Sequence, residues 1–166
     1  ANRDLAGAEV EMVEMDRREA RLKEALTPHL GDYDFVLIDC PPSLSMLTLN
    51  GLCAAHGVVI PMQCEYYALE GLSPLINTIG LVQQSLNQKL TIGGILITMF
   101  DPRLKLARQV MEETRNHFKD KVFTTIINRN VRLGEAPSFG KPIILYDIGS
   151  TGAENYISLT EEVLRI

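Results

Sequence analysis

The sequence predicts an α/β fold, a mostly parallel sheet flanked by helices. Short continuous apolar runs recur along the chain, segments with helical spacing separate them, and the connections between the two are brief. That alternation implies right-handed crossovers, with helices covering both faces of a parallel sheet. In order, Asp16 and Glu19 have the spacing of a helix N-cap with an acidic partner, and Leu22, Leu26 and Leu30 follow every fourth residue. A helix should therefore deliver the chain to Gly31. Phe35-Val36-Leu37-Ile38 reads as a strand buried on both faces, stopped by Pro41-Pro42, with Asp39 at its carboxyl end. A helix from Ser45 to Ala55 then leads to a second buried run, Val58 to Ile60, which Pro61 should end.

Leu72, Leu75, Ile76, Ile79, Val82 and Leu86 keep helical spacing. Ile92 to Met99 is a third strand, with Gly93-Gly94 near its start. Leu106, Val110, Met111 and Phe118 mark a helix, and Val122 to Ile127 a fourth strand. A loop-rich stretch with Gly134, Pro137, Gly140 and Pro142 precedes a last helix from about Ala153. Long loops at strand ends in such sheets usually belong to a site.

With 166 residues, 46% hydrophobic and 22% charged, the chain suits a single domain over residues 1–166. No apolar run reaches the ~18 to 20 residues of a membrane-spanning helix, and a cytosolic protein is expected. Cys40, Cys53 and Cys64 form no CxxC pair and read as small buried thiols rather than zinc ligands. His29, His56 and His117 are scattered and carry no assigned chemistry. The net charge of −5 hides an asymmetry: residues 101–141 hold nine Lys/Arg and five Asp/Glu, a net of +4, which leaves seven basic and sixteen acidic residues elsewhere, a net of −9. Charge alone is also met by ordinary solvated helix faces.

An aspartate at the carboxyl end of a buried strand is placed to hold magnesium beside the phosphates of a nucleotide, directly or through water. It can equally serve as a cap for the next helix. Cys40-Pro41-Pro42-Ser43 makes the first reading more specific, because two prolines after the acid fix a stiff turn.

The run from Asp34 to Ser43 closely resembles the Walker B strand and switch of the ParA/Soj family of deviant Walker ATPases. Gln63 to Gly71, Asn130 to Ser138 and Gly140-Lys141-Pro142 resemble the same family in the same order, and Leu5 to Glu9 also matches. The family's glycine-rich loop, K-G-G-x-x-K-[ST], which cradles phosphates, has no counterpart in these 166 residues. The resemblance therefore implies a truncated P-loop NTPase fold, the C-terminal part of the family domain, with an exposed sheet edge or an intermolecular partner in place of missing strands.

It further implies ATP and Mg2+ as cofactors, with Asp39 as the catalytic, magnesium-side acid and Pro41 and Pro42 in the switch. Thr98, Met99, Asn128, Arg129 and Pro137 would approach the adenine base. Glu65 to Glu70 would lie near an ATP-dependent homodimer face, although Glu65 and Glu70 also suit a helix start and Tyr66 and Tyr67 also suit packing. Arg103 and Arg132, extended by Lys105, Arg108 and Lys141, would bind DNA without sequence preference. The competing reading makes Arg103 a helix-start residue and Arg132 a loop charge paired with Glu135. The implied function is a chromosome- or plasmid-partitioning ATPase, nucleoid-associated in the cytoplasm, working with a ParB-type centromere-binding protein and no membrane. This chain alone is expected not to hydrolyse ATP. A MinD-like positioning ATPase would end in a basic amphipathic helix, whereas the last helix here carries Glu154, Glu161 and Glu162 against Arg165. A nitrogenase-reductase-like protein would need cysteines placed to share an iron–sulfur cluster, which these three are not. The remaining alternative is a non-hydrolysing binding module.

Overall fold

A computed structural model describes residues 4–41, 43 and 45–165. It falls into two compact units, one of Ala1–Val58 with Pro74–Thr91 and the other of Val59–Ser73 with Ile92–Ile166. The elements in order are α1 (Asp4–Glu11), α2 (Arg21–Leu26), α3 (Met46–Ala54), β1 (Gly57–Gln63), α4 (Ala68–Ser85), β2 (Thr91–Phe100), α5 (Lys105–Phe118), β3 (Val122–Asn128), α6 (Val131–Glu135), α7 (Ile143–Tyr146) and α8 (Thr151–Val163). The strands form one sheet in the order β1-β2-β3, with β2 and β3 parallel. The α/β expectation thus holds, with helices interleaved between strands as the spacing requires.

Several boundaries differ from those read in the sequence. Asp16 caps no helix: 3-10 turn Arg18–Ala20 comes first, Arg17 is left-handed at φ 53, and Ala20 precedes α2 without a side-chain cap. The Asp16 carbonyl instead accepts from the Arg21 guanidinium at 2.7 Å. β1 runs through Pro61 rather than ending there. Among the described residues β1 lies at the sheet edge, where a proline's missing N–H costs no ladder bond. The stretch after β3 is not simply loop, because Asn130 caps α6 by accepting from the Arg132 amide at 2.9 Å, and α7 follows.

The largest difference is at Phe35 to Ile38, which joins no ladder. Phe35 is 66% exposed and Leu37 93%. A two-sided buried strand needs neighbours for its amides and carbonyls and cover on both faces. Among the described residues, the ladders connect only β1, β2 and β3. On one side Phe35 and Val36 meet Leu26, Leu30 and Tyr33 around an open apolar cavity of about 220 Å³.

The first unit is held by buried polar side chains as much as by apolar ones. Asn50 on α3 donates to the Arg18 carbonyl at 2.9 Å and accepts from the Leu22 amide at 3.0 Å, fixing α3 to the start of α2. Asn87 donates to the carbonyls of Leu52 and Ala55 at 2.9 and 2.8 Å, supplying partners for the open C-terminus of α3. In the second unit Ile95 and Ile97 of β2 are fully buried. Leu96, Phe123 and Ile127 form a core against which Leu133, Leu159 and Val163 pack. Gly94 lets the Phe123 ring approach: a Cβ there would lie 2.5 Å from it. On β3, Thr124 and Thr125 donate their amides to the Glu162 carboxylate of α8 at 2.7 and 2.9 Å. Burial alone would raise Glu162, but those amides outweigh it and hold the group below its ordinary value. The last helix is therefore a packing helix, as its charges suggested.

Candidate functional site

The first unit carries Asp39, exposed on the segment that follows Phe35 to Ile38. What fixes this segment is the beginning of α3. Ser45 caps the helix by accepting from the Leu47 amide at 3.2 Å, and Glu9 of α1 accepts from the Met46 amide at 2.9 Å. The buried Thr48 hydroxyl then reaches back to the Ser43 carbonyl at 2.6 Å, with the Pro41 carbonyl at 3.4 Å. Gly51 admits Cys40 so closely that an added Cβ would stand 2.7 Å from its sulfur. Thus the residues after Asp39 are tied to one helix. Pro41 lies within that segment, while Pro42 falls outside the described residues. Thr48, Gly51 and Glu9 carry no assignment from the sequence as positioning residues, because no spacing rule marks a threonine here as the donor to a preceding carbonyl.

Cys53 and Cys64 are buried thiols as expected, but Cys40 is exposed. Burial of its sulfur, then the adjacent Asp39 carboxylate, pushes the Cys40 thiol up, away from a reactive thiolate. Among the described residues no three His, Cys, Asp or Glu side chains gather to hold a metal. A lone exposed carboxylate fits magnesium, which keeps most of its waters and takes one or two protein carboxylates beside phosphate oxygens.

The second unit joins the ends of β2 and β3. Phe100 stands opposite Asn128 in the parallel register, and the Arg129 amide donates to the Phe100 carbonyl at 2.9 Å, so Thr98, Met99, Asn128 and Arg129 share one carboxyl edge. From Ile97 to Phe100 the chain advances three residues while its partner advances from Ile126 to Asn128, two, and Met99 within that bulge has φ 53. Strain of this kind is held only where surrounding structure enforces it. The Thr98 hydroxyl donates to the Met62 carbonyl at 3.3 Å, and Asn128 donates through its amide and side chain to Asn155 at 3.1 and 3.2 Å. These side chains already have protein partners, which leaves the exposed Met99 and Arg129 as the open features of this edge. Pro137 is exposed in the 3-10 turn Ala136–Phe139.

Both arginines assigned to DNA are engaged with carboxylates. Arg103 grips Asp101 through Nε at 2.9 Å and Nη2 at 2.7 Å, and Asp101 also accepts the Arg103 amide at 3.0 Å. Those side-chain and backbone bonds hold Asp101 down at about 2. Arg132 donates to Glu135 at 2.9 Å and lies 3.3 Å from Asp147, while the Tyr146 hydroxyl donates to Glu135 at 3.0 Å. The hydrogen bond from Arg132, then that from Tyr146, lowers Glu135. Arg132 is a helical residue of α6 rather than a loop charge, and its pairing with Glu135 is the one the competing reading named. Glu70 lies in the first turn of α4, while Tyr66 and Tyr67 are 70% and 71% exposed with rings edge to face at 5.0 Å, not packed inside.

Residues 1–92 match the AAA-domain family. Over 165 residues the chain is 60% identical to the chromosome partitioning protein ParA of Myxococcus xanthus, covering 99% of this chain and 58% of that protein. The same identity holds over 159 residues with the sporulation initiation inhibitor protein Soj of Bacillus subtilis, covering 96% and 63%. The chain belongs to the ParA/Soj family. It spans about three fifths of the length of these curated relatives. Among solved structures, that of cobyrinic acid a,c-diamide synthase from Mycobacterium smegmatis with bound ADP and magnesium superposes with a TM-score of 0.83 at 39% identity, covering 99% of this chain and 60% of that one. The family assignment and the P-loop NTPase fold read from the motifs therefore stand. Among the described residues of this ParA/Soj-family chain, no helix is long and apolar enough to cross a membrane.

Proposed function

We propose that this chain is the magnesium-side and base-side part of a partitioning ATPase. In the full-length protein it dimerises with ATP, binds DNA without sequence preference and moves chromosome or plasmid cargo with a ParB-type partner. The observation that supports this most is the 60% identity over 165 residues to a protein named for chromosome partitioning. Asp39 would hold Mg2+ through water, and the ion would neutralise charge between phosphates. Thr48 and Gly51 would keep the Asp39 segment in register with α3. Met99 and Arg129 would border the base, beside Thr98, Asn128 and Pro137. Arg103 and Arg132 would contact DNA phosphates in a nucleoid-associated, cytoplasmic protein.

Asp39→Ala in the full-length protein should remove turnover and ATP-dependent dimerisation together, read by phosphate release and by sedimentation. A mutant that still dimerises with ATP would sink the role of Asp39. The 166-residue chain alone should show no magnesium-dependent turnover, since phosphate affinity in such sites rests mainly on the glycine-rich loop. Turnover abolished by Asp39→Ala in that short chain would contradict this.

A further inference from the structure

We propose that Asp101, Glu135 and Asp147 act as a built-in brake on nucleic acid binding, neutralising the two arginines that the proposed function assigns to DNA phosphates. The inference rests on that reading and adds its regulation. Arg103 and Asp101 together carry no net charge, and Arg132 with Glu135 and Asp147 carries a net of −1. Arg103 uses Nε and Nη2 on Asp101, the two-donor edge with which a guanidinium would grip a phosphate. The Asp101 side chain is only 12% exposed while that of Arg103 is 84% exposed, so a largely covered carboxylate holds an otherwise open cation. Asp101 remains charged down to about pH 2, so the clamp is set at any physiological pH.

An arriving phosphodiester must therefore displace a carboxylate or bind a neutralised pair. Surface ion pairs are weak, so the brake is modest at each arginine and does not abolish binding. It lowers the affinity of two copies engaged together more than that of one, because avidity multiplies whatever each copy contributes. Salt screens the pairs as it screens the phosphate contacts, so the brake should matter most at low ionic strength.

The test is titration of a nonspecific duplex DNA with the full-length protein, ATP and magnesium at two salt concentrations. Asp101→Asn keeps an oxygen for the Arg103 amide while removing the charge, and Glu135→Gln keeps an acceptor for the Tyr146 hydroxyl. Each of these, and Asp147→Asn, should tighten binding roughly two- to five-fold at low salt, with a smaller gain at high salt. Glu113→Gln, which removes the same charge from an exposed position on α5, sets the gain expected from net charge alone. In an Arg103→Ala background, Asp101→Asn should fall to that control level, and Glu135→Gln should do so in Arg132→Ala. If the arginine variants weaken binding but the carboxylate variants do no better than Glu113→Gln, the brake is overturned and the DNA surface stands. Weaker binding in the carboxylate variants would overturn it too, making the acids positioning groups for the arginines. If Arg103→Ala and Arg132→Ala leave affinity and salt slope unchanged, or no binding occurs, the DNA reading fails and the brake with it.

Discussion

Phe35-Val36-Leu37-Ile38 and Ile95-Leu96-Ile97 have the same binary pattern, and they meet opposite fates. Ile95 and Ile97 are fully buried in β2, between β1 and β3, whereas Leu37 is 93% exposed and Phe35 66%. A run of apolar residues specifies that burial is favourable, but the backbone must also find ladder partners before burial can occur. In the second unit β3 supplies them, and α8 covers the outer side through Leu159, Val163 and Glu162. In the first unit Phe35 and Val36 instead line an open cavity with Leu26, His29, Leu30 and Tyr33.

Truncating one residue in each run should separate the two regions most widely. Ile97→Ala leaves a cavity in the sheet core and should cost about 2 to 5 kcal/mol. Leu37→Ala, at an exposed position, should stay within about 0.5 kcal/mol. Hydrogen exchange of amides in β2 and β3, with denaturant titration, reads the first; the second should leave both unchanged. Equal costs would mean that Leu37 is buried in solution.

The two close glycine contacts sharpen the same contrast. In Gly94→Ala the new methyl meets the Phe123 ring, itself 4% exposed and locked in the core, so overpacking should cost about 1 to 3 kcal/mol. In Gly51→Ala the methyl meets the Cys40 sulfur on an exposed segment that can yield, and alanine gains about 1 kcal/mol of helix propensity. Thermal stability should then change little, while the rate at which Cys40 reacts with a thiol reagent rises as the sulfur is pushed from α3. An unchanged thiol rate would mean that Cys40 is not held against Gly51.

The helix spacing of α4 and α5, the apolar runs of β2 and β3, and the bounds of α3 were legible because local pattern and tertiary setting agree there. Phe35 to Ile38 was misread because strand formation depends on partners that a local window does not contain. Pro61 was misread for a related reason: whether proline ends a strand depends on whether it lies at an edge. At the candidate site the Thr98-Met99 and Asn128-Arg129 pairs were legible as strand-end positions, whereas Asp39, read at the end of a strand, follows a segment that joins no ladder. What was not legible was their support. Thr48, Glu9 and Asp101 act on residues that folding brings near or orients, and nothing in their spacing announces a carbonyl, an amide or an arginine as partner.

Glu162 tests how much of the second unit's order depends on covering β3. Glu162→Gln gives up the charge and, because the two amides bond to different carboxylate oxygens, sets an NH2 donor against one of them, and should cost about 1 to 3 kcal/mol at neutral pH. Because the folded carboxyl lies below its ordinary value, its contribution is present above the unfolded pKa and disappears as pH falls through the folded one. The wild type should therefore lose its advantage over Glu162→Gln in acid, and the two stability curves should converge there. Curves that stay parallel would show that the carboxylate is not what holds those amides.

Substitution by glycine should have a small effect at Met99, where the orderly unit departs from regular geometry. Its φ of 53 lies in the left-handed region, which costs a residue with a Cβ roughly 1 kcal/mol and costs glycine nothing. Replacing methionine by glycine in a regular strand would be destabilising through lost packing and added chain entropy. Here relief of the backbone should offset most of that loss, because the side chain is already 42% exposed. Met99→Gly should thus fall within about 0.5 kcal/mol of the wild type. Met99→Val has the opposite problem, since a β-branched residue at positive φ is a steric outlier, and should cost about 1 to 2 kcal/mol. The pair can be compared by denaturant titration together with exchange of the Arg129 amide, which is bonded to the Phe100 carbonyl just beyond the bulge. If valine proves the milder substitution, the bulge relaxes in solution and Met99 holds no strain at the carboxyl edge of β2.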